Sequence, residues 1–234
     1  MAMGKRKEGD EMRYRHEAKI EINYSDLLVL RQRLLPVLQK DSHAVDGKYE
    51  IRSLYFDNAT DKALREKIDG VNMREKFRIR MYNGDISCIK LEKKSKINGL
   101  CQKSSVCITK EQASAIIKGD CEWMKNGNEP LIMELYIKMK TQGLKPKTIV
   151  DYTREPFVYA PGNVRVTLDY NIRTGICTTD FLNPFCVTVP ANNDAIILEV
   201  KWDEFLPDII RDIVHVKNTR TAAFSKYAAC RLYG

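Results

Sequence analysis

Along most of this chain hydrophobic and polar residues alternate with period two, the spacing of a strand buried on one face. Residues 15–23 set Ala18, Ile20 and Ile22 against Glu17, Lys19 and Glu21. Residues 74–82 set Phe77, Ile79 and Met81 against Lys76, Arg78 and Arg80, and the return stretch sets Ile89 and Leu91 against Lys90, Glu92 and Lys94. Further alternating runs occupy 49–57, 99–108, 148–157, 164–174 and 195–205. Asn83-Gly84 marks a hairpin between the two basic runs. A two-residue loop would pair Arg78 with Ile89 and mix the faces. An odd-length loop keeps them pure, placing Ile79 beside Ile89, Phe77 beside Leu91, Arg78 beside Lys90 and Lys76 beside Glu92.

Between these runs the period changes. Residues 25–39 carry Leu27, Leu28, Leu30, Leu34, Leu35 and Leu38 at helical spacing, opened by Ser25, with Pro36 as a kink or break. Thr109 and Gln112 have capping-box spacing, and Gly119 suits the helix stop. Pro130 to Gln142 reads as a longer helix closed by Gly143, and 206–218 and 221–233 read as two more. Residues 1–13 carry charge without pattern and read as a tail, leaving 14–234 as a single domain.

Composition narrows the setting. Charged residues make up 30% of the 234, and the mean hydropathy is -0.40, values of a soluble globular protein. The chain shows no apolar run of membrane-spanning length and no secretory signal at its N-terminus, so the cytoplasm is expected. Seven cysteines without a C-x-x-C pair read as reduced, mostly buried thiols, and His16, His43 and His215 lie too far apart for a histidine-rich metal site. A net charge of +8 and a pI near 9.0 call for a polyanionic partner or surface.

The charged faces say where that partner belongs. The later strands add Arg165, Thr167 and Asp169, then Glu199, Lys201 and Asp203, so charges recur at consecutive same-face positions on strand after strand. Arginines so close repel unless something anionic lies between them. An antiparallel barrel of about eight strands, with charged faces inward and apolar faces covered by helices, accommodates the pattern as an α+β fold with a basic tunnel. A chain of phosphates suits such a tunnel. Glu199 could hold Mg2+ or Mn2+, whereas Glu17, Glu21 and Glu92 read equally as internal counter-charges.

Seven segments in order, SLYFD (53–57), REKFRIRMYNG (74–84), LEKKSK (91–96), IVDYTREPF (149–157), VRVTLDYNI (164–172), LEVKWDEFLP (198–207) and FSKYAAC (224–230), resemble the VTC domain. That family comprises polyphosphate polymerase catalytic domains of the triphosphate tunnel metalloenzyme (CYTH-like) superfamily. The resemblance implies transfer of the terminal phosphate of ATP, with a divalent metal, onto a growing polyphosphate chain. It implies phosphate-binding roles for Lys19, Arg78, Arg80, Lys94, Lys103, Arg154, Arg165, Lys201 and Lys226, with Ser225 beside them and Arg65 a weaker match. Among these Arg78, Arg80, Arg165 and Lys226 would be catalytic, and Glu199 resembles the metal-binding glutamate. The superfamily's hydrolases open with an E-x-E-x-K signature; here Lys19 stands where the second glutamate would, which favours the polymerase branch. Relatives in eukaryotes carry an SPX domain and membrane helices that this chain lacks, so coupled transport would need a separate membrane partner.

Three other readings compete. Water as acceptor would make the same tunnel a triphosphatase, and loss of catalysis would leave a polyphosphate-binding module. Nucleic acid is disfavoured because the aromatics, 9% of residues, do not interleave with the basic positions.

Overall fold

A computed structural model describes residues 15–98, 100–191, 194–216 and 224–232; the expected tail at 1–13 lies outside them. Eight strands form one antiparallel path. They are β1 (His16–Ile22), β3 (Tyr49–Asp57), β4 (Met73–Tyr82), β5 (Ile89–Ile97), β6 (Leu100–Ile108), β7 (Lys145–Tyr159), β8 (Val164–Thr174) and β10 (Ile196–Trp202). Their order is β1-β10-β8-β7-β3-β4-β5-β6, with short β2 (Gln39–Lys40) on β7 and β9 (Val189–Pro190) on β8. The path curls until its first and last strands touch. They are joined, among the described residues, by the single bridge Arg15↔Cys101 rather than by a ladder.

The outward faces are apolar and covered by helices. α3 (Lys110–Lys118) and α4 (Pro130–Gln142) bury Phe77, Ile79, Met81, Ile89 and Leu91 under Ile116, Leu131 and Leu135. On the other side α1 (Tyr24–Leu34) and α5 (Asp208–Val214) cover Val166, Leu168, Leu198 and Val200 with Leu27, Leu30, Leu34, Ile210 and Val214. Local chemistry fixes these helices. Thr109 and Gln112 form the reciprocal capping box at α3, and Gly119 and Gly143 end α3 and α4 in the left-handed conformation.

Several expectations are corrected. α1 is capped by Asn23, whose side chain accepts from Asp26 N while Asp26 reaches back, so Ser25 is already inside the helix; Pro36 ends it rather than kinking it. The hairpin keeps the expected parity of faces but sits two residues from the expected register, which brings a charge onto the outer face: Ile79 pairs with Leu91, Phe77 with Lys93, Arg78 with Glu92 and Lys76 with Lys94. Asn83 and Gly84 do make a tight turn at positive φ, but Asn83 also bonds Glu50 on β3, and residues through Cys88 extend the loop before β5 begins. The cysteines are all free, yet only Cys121 and Cys230 are buried, and Cys107 and Cys177 are exposed.

One helix had no signal in the pattern. α2 (Lys62–Ile68) spans two turns, buries no residue fully, and is capped from outside itself: the Asp57 carboxylate, at the end of β3, accepts from Ala63 N and Leu64 N. The same carboxylate takes the Tyr227 hydroxyl at 2.7 Å, tying α2 to α6 (Lys226–Cys230).

The inward face is not uniformly charged. Ile51, Val150, Ile172 and Ile197 point into the barrel with Tyr49, Tyr55 and Tyr152, and pack against Tyr227 and Cys230 of α6. This third apolar cluster fills part of the interior and leaves the rest to the charged residues.

Candidate functional site in the barrel interior

The remaining interior is a cavity of about 870 Å3. Among the described residues, fourteen lysines and arginines line it against four glutamates. Even with buried Asp169 counted behind the lining, that excess is larger than the +8 of the whole chain, so the rest of the molecule carries no net positive charge. The basic character belongs to the interior.

Antiparallel register brings these charges together, and four carboxylates organise them. Glu92 on β5 accepts from Arg78 on β4 at 2.6 and 2.7 Å and forms ion pairs with Lys103 on β6 at 2.5 Å and with Arg80 at 3.8 Å. Burial opposes its ionisation, but Arg78, Arg80 and Lys103 hold the Glu92 carboxyl far below the usual range. The anion between the two arginines is thus the protein's own.

A second knot joins β1 and β10. Glu17 meets Lys19 at 2.5 Å and Lys94 at 2.8 Å, and Glu199 meets Lys201 at 2.9 Å and Arg154 at 3.1 Å. Lys19 and Lys201 each lie between the two glutamates, 3.9 Å from the farther one. Burial and Glu199 push the Glu17 carboxyl up, yet Lys19, Lys94 and Lys201 bring it down to about 2. The fourth carboxylate, Asp169, is fully buried and joins Arg154 to Lys226 of α6 at 2.6 Å.

Of the residues singled out from sequence, Lys19, Arg78, Arg80, Lys94, Lys103, Arg154, Arg165, Lys201, Ser225, Lys226 and Glu199 all line the cavity. Arg165 pairs with Asp41 at 2.7 Å, and Ser225 caps α6, its hydroxyl accepting from Ala228 N. Arg65 does not join them: it lies on the exposed side of α2, and Lys67, two positions on, lines the cavity instead. Glu21 is exposed at the end of β1.

Sequence reasoning missed the tyrosines. Tyr49, Tyr55, Tyr82 and Tyr152 line the cavity among the basic residues, so aromatics do interleave with cations. Their role is to orient guanidinium groups. Arg78 donates to the Tyr55 hydroxyl at 2.8 Å, Arg80 donates to the Tyr152 hydroxyl at 3.0 Å and to Ser53 at 2.9 Å, and the Lys226 ammonium sits 4.7 Å from the Tyr152 ring centre. Burial would raise the Tyr55 phenol, but Arg78, Lys76 and Arg80 bring it down to about 7. Strand parity held the signal: each tyrosine is an even number of positions from an inward residue on its own strand.

Among the described residues no group of three or more carboxylate, histidine or cysteine side chains forms a cage for a cation. Glu199 and Glu17, sharing two lysines, are the cavity carboxylates that would hold a divalent cation if phosphate oxygens completed its shell. The donor set fits a cation that arrives with its substrate.

The architecture has solved counterparts. A candidate adenylate cyclase of Bacillus halodurans superposes with a TM-score of 0.51 at 11% identity, over 80% of this chain and 81% of its own. The PH1819 protein of Pyrococcus horikoshii covers 91% of this chain and 94% of its own at 13% identity and a TM-score of 0.45. No curated protein matches in sequence. At such identities the first likeness speaks for the tunnel fold alone. The family model of the VTC domain matches residues 14–233, and the chain therefore belongs to the VTC domain family.

Proposed function

We propose that this protein is a polyphosphate polymerase, taking the terminal phosphate of ATP and adding it to an inorganic polyphosphate chain held in the barrel. The observation that carries this reading is the enclosure of the chain's net positive charge inside the barrel, where a slender polyanion fits and a duplex does not. Membership of a family whose wider superfamily acts on triphosphates supports it.

Phosphoryl transfer asks the protein for position and charge neutralisation rather than a covalent nucleophile. Arg78, Arg80 and Arg165 would grip the triphosphate, with forks already aimed by Tyr55, Tyr152 and Asp41. Lys226 would approach from α6, and Lys19, Lys94, Lys103, Arg154 and Lys201 would hold neighbouring phosphates. A divalent cation on Glu199, with Glu17 beside it, would supply further neutralisation of the phosphate oxygens. The acceptor oxygen is already anionic and needs no general base. Incoming phosphates displace Glu92, Glu17 and Asp169 from their cations, so the internal carboxylates hold the empty site together and yield when it fills.

The test is incubation with ATP and Mn2+ or Mg2+, with products resolved on a gel stained for polyphosphate and ADP and free phosphate quantified. A ladder with ADP and little free phosphate supports the polymerase. Free phosphate without a ladder replaces it with a triphosphatase, and neither product leaves a binding module.

A further inference from the structure

The cations of the cavity fall into two classes. Ten of them have a carboxylate within ion-pair distance: Arg15 and Arg80, and Lys19, Arg78, Lys94, Lys103, Arg154, Arg165, Lys201 and Lys226. Four others, Lys67 on α2, Arg74 and Lys76 on β4 and Lys96 on β5, line the same cavity, are half-buried, and make no ion pair with any described residue. Register sharpens the contrast. Arg74 faces Lys96 directly across the β4–β5 ladder, and Lys76 faces Lys94, so two successive same-face positions carry like charges, which destabilise a sheet. Burial, then Arg74, Lys19, Lys96 and Lys94, depresses the Lys67 ammonium, and burial brings Lys76 down to about 8 with Lys94, Lys19 and Arg78 adding to the effect. Half-buried cations of this kind ordinarily find partners. Lys76 has only the Tyr55 ring and Arg74 only the Val71 carbonyl, so neither has a counter-charge.

We infer that Lys67, Arg74 and Lys96 form a second anion site at the α2 end of the barrel, reached past Lys76, which grips the distal phosphates of a long polyphosphate while the paired interior holds the reacting end. The inference rests on the polyphosphate reading and deepens it. Arg74 is four residues from Arg78 along β4, on the order of 13 Å of strand. Three phosphates anchored at Arg78 do not span that distance; a longer chain does. The site therefore sets a preference for length.

The experiment compares the full chain with Lys67→Ala/Lys96→Ala, and with Lys110→Ala/Lys118→Ala on the outer helix α3 as a variant of equal charge change. Each is titrated calorimetrically with tripolyphosphate and with polyphosphate of roughly sixty phosphates. Losing two phosphate contacts is expected to weaken the long chain about tenfold, with tripolyphosphate within about twofold and the α3 variant unchanged for both. The Lys67→Ala/Lys96→Ala protein should melt no lower than the wild type, because like-charge repulsion is removed. Equal loss for both ligands, no loss for either, or the same loss in the α3 variant overturns the inference. A wild type that binds tripolyphosphate but gains nothing from length overturns it alone. A wild type that binds neither overturns the polyphosphate reading itself.

Discussion

Arg154 donates two hydrogen bonds, 2.6 and 2.7 Å long, to the Asp169 carboxylate directly opposite it on the neighbouring strand. Because Asp169 also takes Lys226, one buried anion joins the barrel wall to α6. Asp169→Asn leaves two buried cations without their shared counter-charge, a change that costs about 3–5 kcal/mol. The urea midpoint should fall accordingly at neutral pH. A midpoint equal to the wild type's would show that the pair contributes nothing to stability.

Glu199→Gln keeps an oxygen for Arg154 but removes the charge that the proposed cation requires. Turnover of ATP with Mn2+ or Mg2+ should drop at least about 100-fold, the upper end of what loss of even an outer partner of a metal site costs. Polyphosphate affinity should hold or improve, since a negative charge has left the cavity. Wild-type turnover in this variant would remove Glu199 from the mechanism.

Acid should unfold the protein through its interior. Glu17, Glu92, Glu199 and Asp169 all titrate lower when folded than when unfolded. Their contribution is complete above the unfolded carboxylate value of 4.5 and is lost as pH falls toward the Glu17 value of about 2. Denaturation midpoints measured from pH 7 downward should stay level to about pH 5 and then decline. A profile flat to pH 2 would contradict the ion pairs described.

Leu30, fully buried where α1 covers the β8–β10 face, offers a contrast. Leu30→Ala should lose about 2–5 kcal/mol through the cavity it leaves, while tripolyphosphate affinity changes by less than about twofold. An affinity loss matching the stability loss would mean that the helical cover shapes the interior.

The period-two pattern made the barrel and the sign of its interior legible, because each basic residue of 76–80 and 90–94 shares a face with the next. It could not fix the hairpin register: shifting by two residues keeps the parity of every position, and the contacts that bear on the choice lie outside the alternation, as where Asn83 of the turn bonds Glu50 on β3. Lys67 escaped notice because α2 has too few turns for a helical period and takes its cap from Asp57, a residue outside the helix. Ile197 and Val150 read as ordinary sheet residues, yet they face inward. Their strands are charged at one end of the inward face and apolar at the other, a gradient along the barrel that alternation across a strand does not report.

The seam between β1 and β6 bears on topology in the mathematical sense. A ring closed by ladders on all sides can be occupied by a polymer only if one of its ends passes through. Here the last joint among the described residues is the bridge of Arg15 to Cys101, the weakest link of the circle and the first to part in a local opening. Each parting turns the ring into a clasp. On the proposed function, a polymer blocked at both ends would then enter from the side, and would be held only while this bridge and the Glu17–Lys94 pair across the same seam stay shut.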